Sequence, residues 1–315
     1  KNMVKWLYAM VFYGFMIPEF PKFKKLELTD NKEIEKFTSR FPPYSDFNFV
    51  SMWCWDIQGE MRISILNDNL VVRFTDYLTR KPFFSFIGKN KICETASKLI
   101  TFSKDNYHTN SLKLVPGEMV SILDKSGFGI LPDVDAVDYI YRVEQLKNMH
   151  NWAGHRASKG IEKFLKLHPD YLVKISPLEE IPKEEYREIF GKWAKSKSIK
   201  NHLESNEYGA FQRFLEIKNE NIEVVSLYKN NQLIGFTAYE IISNDYAIAH
   251  FSKADKKHHS AIYDILNWEE AKALNRKKVK YYNWEQDLGI QGLQNSKLKY
   301  KPCFFLSKFI VKEKI

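Results

Sequence analysis

Apolar residues recur in short runs, and their spacing predicts alternating helices and strands. Asp30 and Glu33 stand where an N-cap and its capping-box partner would, which predicts a helix over residues 31–39 that ends before Phe41-Pro42-Pro43. Residues 48–57 are apolar, with Trp53 and Trp55 two apart, and predict a strand. Residues 62–66, 70–75 and 83–87 predict three strands around the turn Asn67-Asp68-Asn69. Helices over 91–102 and 118–126 flank a strand over 112–116. Residues 138–142 predict a strand and 143–148 a turn of helix. An amphipathic helix over 158–167 and a strand over 173–176 follow. Residues 183–195 and 207–217 predict helices. Residues 222–229 and 232–242 predict a hairpin turning at Asn230-Asn231, a pair that tolerates positive φ. A strand over 246–252, a helix over 260–274 and strands over 279–285 and 303–311 complete the pattern. Strands joined by crossover helices in both halves predict an α/β (α+β) fold. Its sheets are mixed and mostly antiparallel, flanked by helices, and the second half repeats the architecture of the first.

Length and charge narrow the picture. The 315 residues suit two domains. The boundaries are expected at an apolar segment over 1–22, an N-terminal domain over 23–150 and a C-terminal domain over 151–315. The net charge of +9 is uneven: residues 1–150 carry +2 and residues 151–315 carry +7. The second half therefore favours an anionic partner. Only 9 of the 48 cations are Arg, the residue that reads bases as a bidentate fork, so sequence-specific DNA recognition is not expected. Cys54, Cys93 and Cys303 lie far apart with no Cys/His cluster, which points away from zinc and from a disulfide framework. No P-loop, Rossmann fingerprint, HExxH or Ser-His-Asp order is present. The apolar run of residues 6–17 is shorter than the roughly 20 residues needed to span a bilayer, and no cleavage site follows it. It is either a helix packed on the body or an interfacial contact with an anionic membrane surface. The expected location is the cytoplasm, with that segment as the potential membrane contact.

Residues 281–302, YYNWEQDLGIQGLQNSKLKYKP, carry the sharpest motif. With FPPYSDFNFVSMWCW at 41–55 and DYIYRVEQL at 138–146, it resembles stand-alone bacterial relatives of the catalytic domain of phosphatidylglycerol lysyltransferase. The matching residues are Asn283, Glu285, Gln286, Asp287, Leu288, Gly289, Gly292, Leu293, Lys297, Tyr300 and Pro302. The resemblance implies two tandem GNAT-like acyltransferase domains. It also implies transfer of an aminoacyl group, from an aminoacyl-tRNA donor, onto an amine or hydroxyl acceptor such as a lipid. An acetyl-CoA-type N-acyltransferase is one alternative. A non-catalytic binding protein on a decayed transferase fold is another. Acetyl-CoA domains place a glycine-rich loop before their long helix to cradle pyrophosphate. Here that stretch, residues 254–266, has no glycine, which disfavours CoA. Family members also carry denser Lys and Arg before Phe164, where this chain has Ala157, Ser158 and Gly160.

Transfer chemistry needs a proton acceptor, a carbonyl polariser and groups that hold the substrate. Glu285 and Asp287, two apart at a strand end and so on one face, are the expected base or ammonium-binding pair. Their alternative role is to cap the Gly289–Gly292 turn. Lys297 is the expected oxyanion or phosphate partner, or else the counterion of Asp287. Asn283, Gln286, Tyr300, His250 and Lys253 are candidate substrate contacts. Lys256, Lys257, His258 and His259 make a cationic loop suited to a donor phosphodiester, or merely a solvated one.

Overall fold

The structure, a computed structural model, describes residues 16–76, 79–125, 127–196, 202–257 and 260–314. Most of the apolar run at 6–17 therefore lies outside the described residues, as do His258 and His259.

The chain divides into two compact units. One comprises Lys1–Pro42, Asp46–Val134 and Ser307–Ile315, and the other Pro43–Ser45 and Asp135–Leu306. In chain order the first unit begins with β1 (Lys24–Lys25), α1 (Asn31–Thr38), α2 (Phe49–Trp55), β2 (Arg62–Leu66) and β3 (Asn69–Thr75). It continues with β4 (Pro82–Ile87), α3 (Ile92–Tyr107), β5 (Ser111–Pro116), α4 (Gly117–Val120) and β6 (Phe128–Pro132). The second unit contains β7 (Asp138–Arg142), α5 (Val143–Lys147), α6 (Arg156–Leu167), β8 (Leu172–Pro177), α7 (Lys183–Ser196) and α8 (His202–Phe214). After these come β9 (Ile222–Lys229), β10 (Gln232–Ile241), β11 (Tyr246–Ala254), α9 (Ile262–Arg276), β12 (Tyr281–Asn283), α10 (Gln291–Leu298) and β13 (Phe304–Leu306). The last strand, β14 (Lys308–Glu313), belongs to the first unit.

Each unit holds a seven-stranded mixed sheet. The orders are β1-β2-β3-β4-β5-β14-β6 and β13-β7-β12-β11-β10-β9-β8. Read from opposite ends, the two sheets follow one plan: four antiparallel strands, one parallel step bridged by a long helix, then two more antiparallel pairings. The parallel steps are β4 to β5 through α3 and β11 to β12 through α9. The sixth strand of each sheet comes from elsewhere in the chain, β14 in the first and β7 in the second. This is the tandem GNAT-like architecture expected from the sequence.

Several local expectations give way to tertiary context. Residues 49–55 form a helix and no strand, because the Asn48 side chain accepts from Ser51 N at 2.9 Å and caps it. Asp30 does not cap α1 with its side chain. Its carboxylate turns back to accept from Glu27 N at 2.9 Å and from Lys24 Nζ at 2.8 Å. The apolar run after Cys303 is two strands in two sheets: Leu306 pairs with Asp138, and Lys308 with Pro116. Short β6 was not legible at all. The hairpin turn is as expected, with Asn230 and Asn231 both at positive φ.

The core of the second unit lies between its sheet and α5, α6 and α9. Ile161, Phe164, Ile262, Ile265, Leu266, Tyr141 and Tyr282 are all buried there. Each such side chain contributes about 1.5–3 kcal/mol by leaving water.

Candidate functional site

The three sequence segments that carry the motif meet at one buried carboxylate in the second unit. Asp138 accepts from Ser45 N at 2.8 Å, from Ser45 Oγ at 2.6 Å and from Asn283 Nδ2 at 3.2 Å. Asn283 also donates to Pro43 O at 2.7 Å and accepts from Glu285 N at 2.7 Å. Asn283 is fully buried. It fixes the loop that follows β12 and presents no group to a substrate.

β12 stops at Asn283, and the chain then turns sharply, with Glu285, Leu288 and Gly289 at φ of 57°, 56° and 68°. Glu285 and Asp287 are therefore not on one face of a strand. Asp287 is buried, and both its oxygens are taken: Oδ2 by Tyr139 Oη at 2.5 Å, Oδ1 by Gly289 N at 2.9 Å. A side chain at Gly289 would place Cβ 2.9 Å from the Asp135 carboxylate. Burial and the Asp287 carboxylate push the Tyr139 hydroxyl up to about 12. Lys297, on α10, donates to Trp284 O and, at 2.7 Å, to Gln286 O. Its ammonium also lies 5.6 Å from the centre of the Tyr139 ring. Lys297 thus binds the loop's carbonyls, and no ion pair with Asp287 is formed among the described residues. Tyr300 is buried beyond the helix and donates to Asp264 Oδ1 at 2.5 Å, where Lys299 also pairs. Glu285 and Gln286 are half-buried. Sequence reasoning missed Tyr139, Asp138, Ser45 and Asp264. Only the polar residues inside the matching segments hinted at the first three.

The strands beside this loop carry the other candidates. The β10–β11 register slips between Ala238 and Tyr239, leaving His250 as the extra residue of a β-bulge. Its Nε2 lies 3.3 Å from Glu240 Oε2, and Glu240 Oε1 accepts from Asn219 Nδ2 at 2.7 Å. Lys253 is buried, donates to Glu207 Oε1 at 2.5 Å and sits 4.2 Å over the Trp193 ring. The last β11–β12 pair is Ile248 with Asn283. β11 runs on to Ala254 while β12 ends, so pairing between these parallel neighbours stops beside His250 and Glu285. The carboxyl ends of diverging parallel strands are where α/β sheets bind ligands.

Lys256 and Lys257 follow β11. Lys256 lies 5.5 Å over the Tyr263 ring, and Lys257 N donates to Asp255 Oδ1 at 3.0 Å. Helix α9 then opens with Asp264 in its first turn. A carboxylate at a helix N-terminus opposes a pyrophosphate there, and the connection has no glycine. Asp264 is itself paired with Lys299.

Helix α6 divides sharply into two faces. Ala157, Ile161 and Phe164 are buried, whereas Arg156, Lys159, Lys163 and Lys166 are exposed. The four cations recur at helical spacing and fall on one stripe, and none forms an ion pair among the described residues. Gly160 sits on the packed face, where a Cβ would meet Ala261 Cβ at 2.8 Å. Ala157 and Gly160 therefore remove no charge from the solvent face. At the start of α6, burial and then Lys301 and Lys299 hold His155 below the ordinary histidine range.

Fold and site together define a tandem GNAT-like protein with an aminoacyl-transferase fold. The sequence profile of the family described as phosphatidylglycerol lysyltransferase, C-terminal, matches residues 38–312. The chain belongs to that family. A conserved protein of unknown function from Bacteroides thetaiotaomicron superposes with a TM-score of 0.78 at 23% identity, over 95% of this chain and 100% of that one. L-PGS from Bacillus licheniformis gives 0.63 at 12% identity, over 95% and 94%. FemX gives 0.57 at 8%, over 92% and 96%. At these identities the likeness is one of fold. No curated protein matches the chain. No helix among the described residues is long and apolar enough to cross a membrane.

Proposed function

We propose that this protein is an aminoacyltransferase. It takes an aminoacyl group from a tRNA-type donor and passes it to an amine or hydroxyl acceptor, with a lipid headgroup as the acceptor class that family membership favours. The observation that carries the donor is the α6 stripe of Arg156, Lys159, Lys163 and Lys166, with Lys299 and Lys301 close to its first turn. The stripe runs about 15 Å, the axial length over which one strand of a duplex sets four or five phosphates. Lys256 and Lys257 extend positive charge along the same unit.

In this reading the acceptor's nitrogen or oxygen attacks the ester carbonyl, and the tRNA ribose hydroxyl leaves. Glu285 is the carboxylate assigned to the reacting amine or hydroxyl. His250, oriented by Glu240, stands on the neighbouring strand. Asp287 and Lys297 hold the loop that presents Glu285.

The test is tRNA retention as a function of salt. Four phosphate contacts predict an affinity loss of about 50- to 150-fold between 50 and 200 mM salt. Lys159→Ala with Lys163→Ala should lower the logarithmic salt slope by about 2. Absence of tRNA binding at 50 mM salt, with acetyl-CoA raising the melting temperature, would instead establish the CoA enzyme. Absence of both would favour a binding protein.

A further inference from the structure

One buried acid of the second unit has no part in the transfer reading. Glu270 lies on the face of α9 that packs on the sheet and is 1% exposed. Thr237 on β10 donates to its Oε1 at 2.8 Å, and Tyr282 on β12 lies beside it. Both are buried. No cation contacts the carboxyl among the described residues. The charged groups of the surrounding elements are one step further out. Tyr239 on β10 donates to Glu223 Oε2 on β9 at 2.5 Å, and Lys277, just past α9, donates to Glu223 Oε1 at 2.6 Å. Arg276 acts on Tyr239, and Glu285 acts on Tyr282.

A carboxylate placed there would lose its hydration with only a hydroxyl or two in exchange, so the neutral acid is the form that fits. Burial pushes the Glu270 carboxyl up to about 7. The same burial and the neighbouring carboxyl hold Tyr282 well above the ordinary phenol range. The two strands it touches are those that position Glu240 and Asn283.

We propose that Glu270 is a pH-sensitive latch. As a neutral acid it lets α9 pack closely on β10 and β12, and its ionisation puts an unsolvated charge into that joint, which loosens it and with it the strand ends that carry the candidate site.

The sign follows from linkage. The folded state holds a proton that the unfolded chain releases near 4.5, so stability is fully present below about 4.5 and falls as pH rises to about 7. Above that it is level. The test is the unfolding constant measured by denaturant between pH 5 and 8, with hydrogen exchange of α9 amides, for wild type, Glu270→Gln and Thr237→Val. Relative to Glu270→Gln, the wild-type unfolding constant should rise about 70-fold over that range. In Thr237→Val, which loses the donor that favours the ionised form, the rise should continue to higher pH. Parallel pH profiles of wild type and Glu270→Gln would overturn the proposal. If Glu270→Gln does not fold, the carboxyl carbon shift of Glu270 in wild type gives the midpoint directly, and a midpoint below 5.5 would overturn it.

Discussion

Replacing Asp138 by alanine tests whether the family motif records folding or chemistry. The carboxylate takes three donors, at 2.8, 2.6 and 3.2 Å, from Ser45 and Asn283, and all three residues are at most 3% exposed. In Asp138→Ala the Ser45 hydroxyl can rotate to another acceptor, and Asn283 keeps its bond to Pro43 O. The Ser45 backbone N–H cannot move, and one Asn283 proton is left without its acceptor. Each buried orphan costs about 1–3 kcal/mol, so the variant should lose about 4 kcal/mol. That is a large share of a stability of about 5–15 kcal/mol. Thermal unfolding followed by circular dichroism should show a fall of about 10 °C. Asp138→Asn, which keeps an acceptor for Ser45 N, should lose about half as much. A fall below about 3 °C for Asp138→Ala would refute the claim that these contacts hold the segments together.

Two further substitutions probe the units separately. Lys308→Met removes the cation from the ion pair with Asp46, whose lysine is fully buried, and should destabilise the first unit by about 3–5 kcal/mol in denaturant titration. A loss under about 1 kcal/mol would mean that the pair is hydrated in solution. Gly160→Ala would add about 1 kcal/mol of helix propensity but places a Cβ 2.9 Å from Asp264 Oδ2, so the net effect should be destabilising. A raised melting temperature would show that α6 and α9 are not packed this closely.

Where neighbours in sequence decide the structure, the sequence was readable. The strands at 62–66 and 83–87 are short, mostly buried apolar runs, and the turns at Asn67-Asp68 and Asn230-Asn231 use residues that tolerate positive φ. Where a distant partner decides, it was not. One miss was local: residues 48–57 look like a strand because Trp53 and Trp55 alternate, yet the cap that Asn48 places on Ser51 N closes a helix. The apolar run after Cys303 is broken only by Ser307 and Lys308, and a single polar pair does not reveal that the chain passes there from one sheet to the other. Lys297 was expected to meet an oxyanion or a phosphate, or else to pair with Asp287. The structure gives each a different partner, because the tight turns after Asn283 leave carbonyls that need a cation and Tyr139 arrives from 148 residues away.

The same contacts bear on where the chemistry lies. A loop with three left-handed residues in five, two of them not glycine, is strained unless its polar groups are satisfied. Asn283, Asp287 and Lys297 do that: an amide holding Glu285 N, a carboxylate holding Gly289 N, and an ammonium shared by two carbonyls. Polar residues recurring at fixed spacing are then what such a loop requires, whatever the enzyme transfers. A group whose hydrogen-bonding capacity is spent on the fold has little left for a substrate. The cations of α6, none of which forms an ion pair among the described residues, keep that capacity. A strong candidate for meeting an anionic substrate is therefore a helix outside the loop.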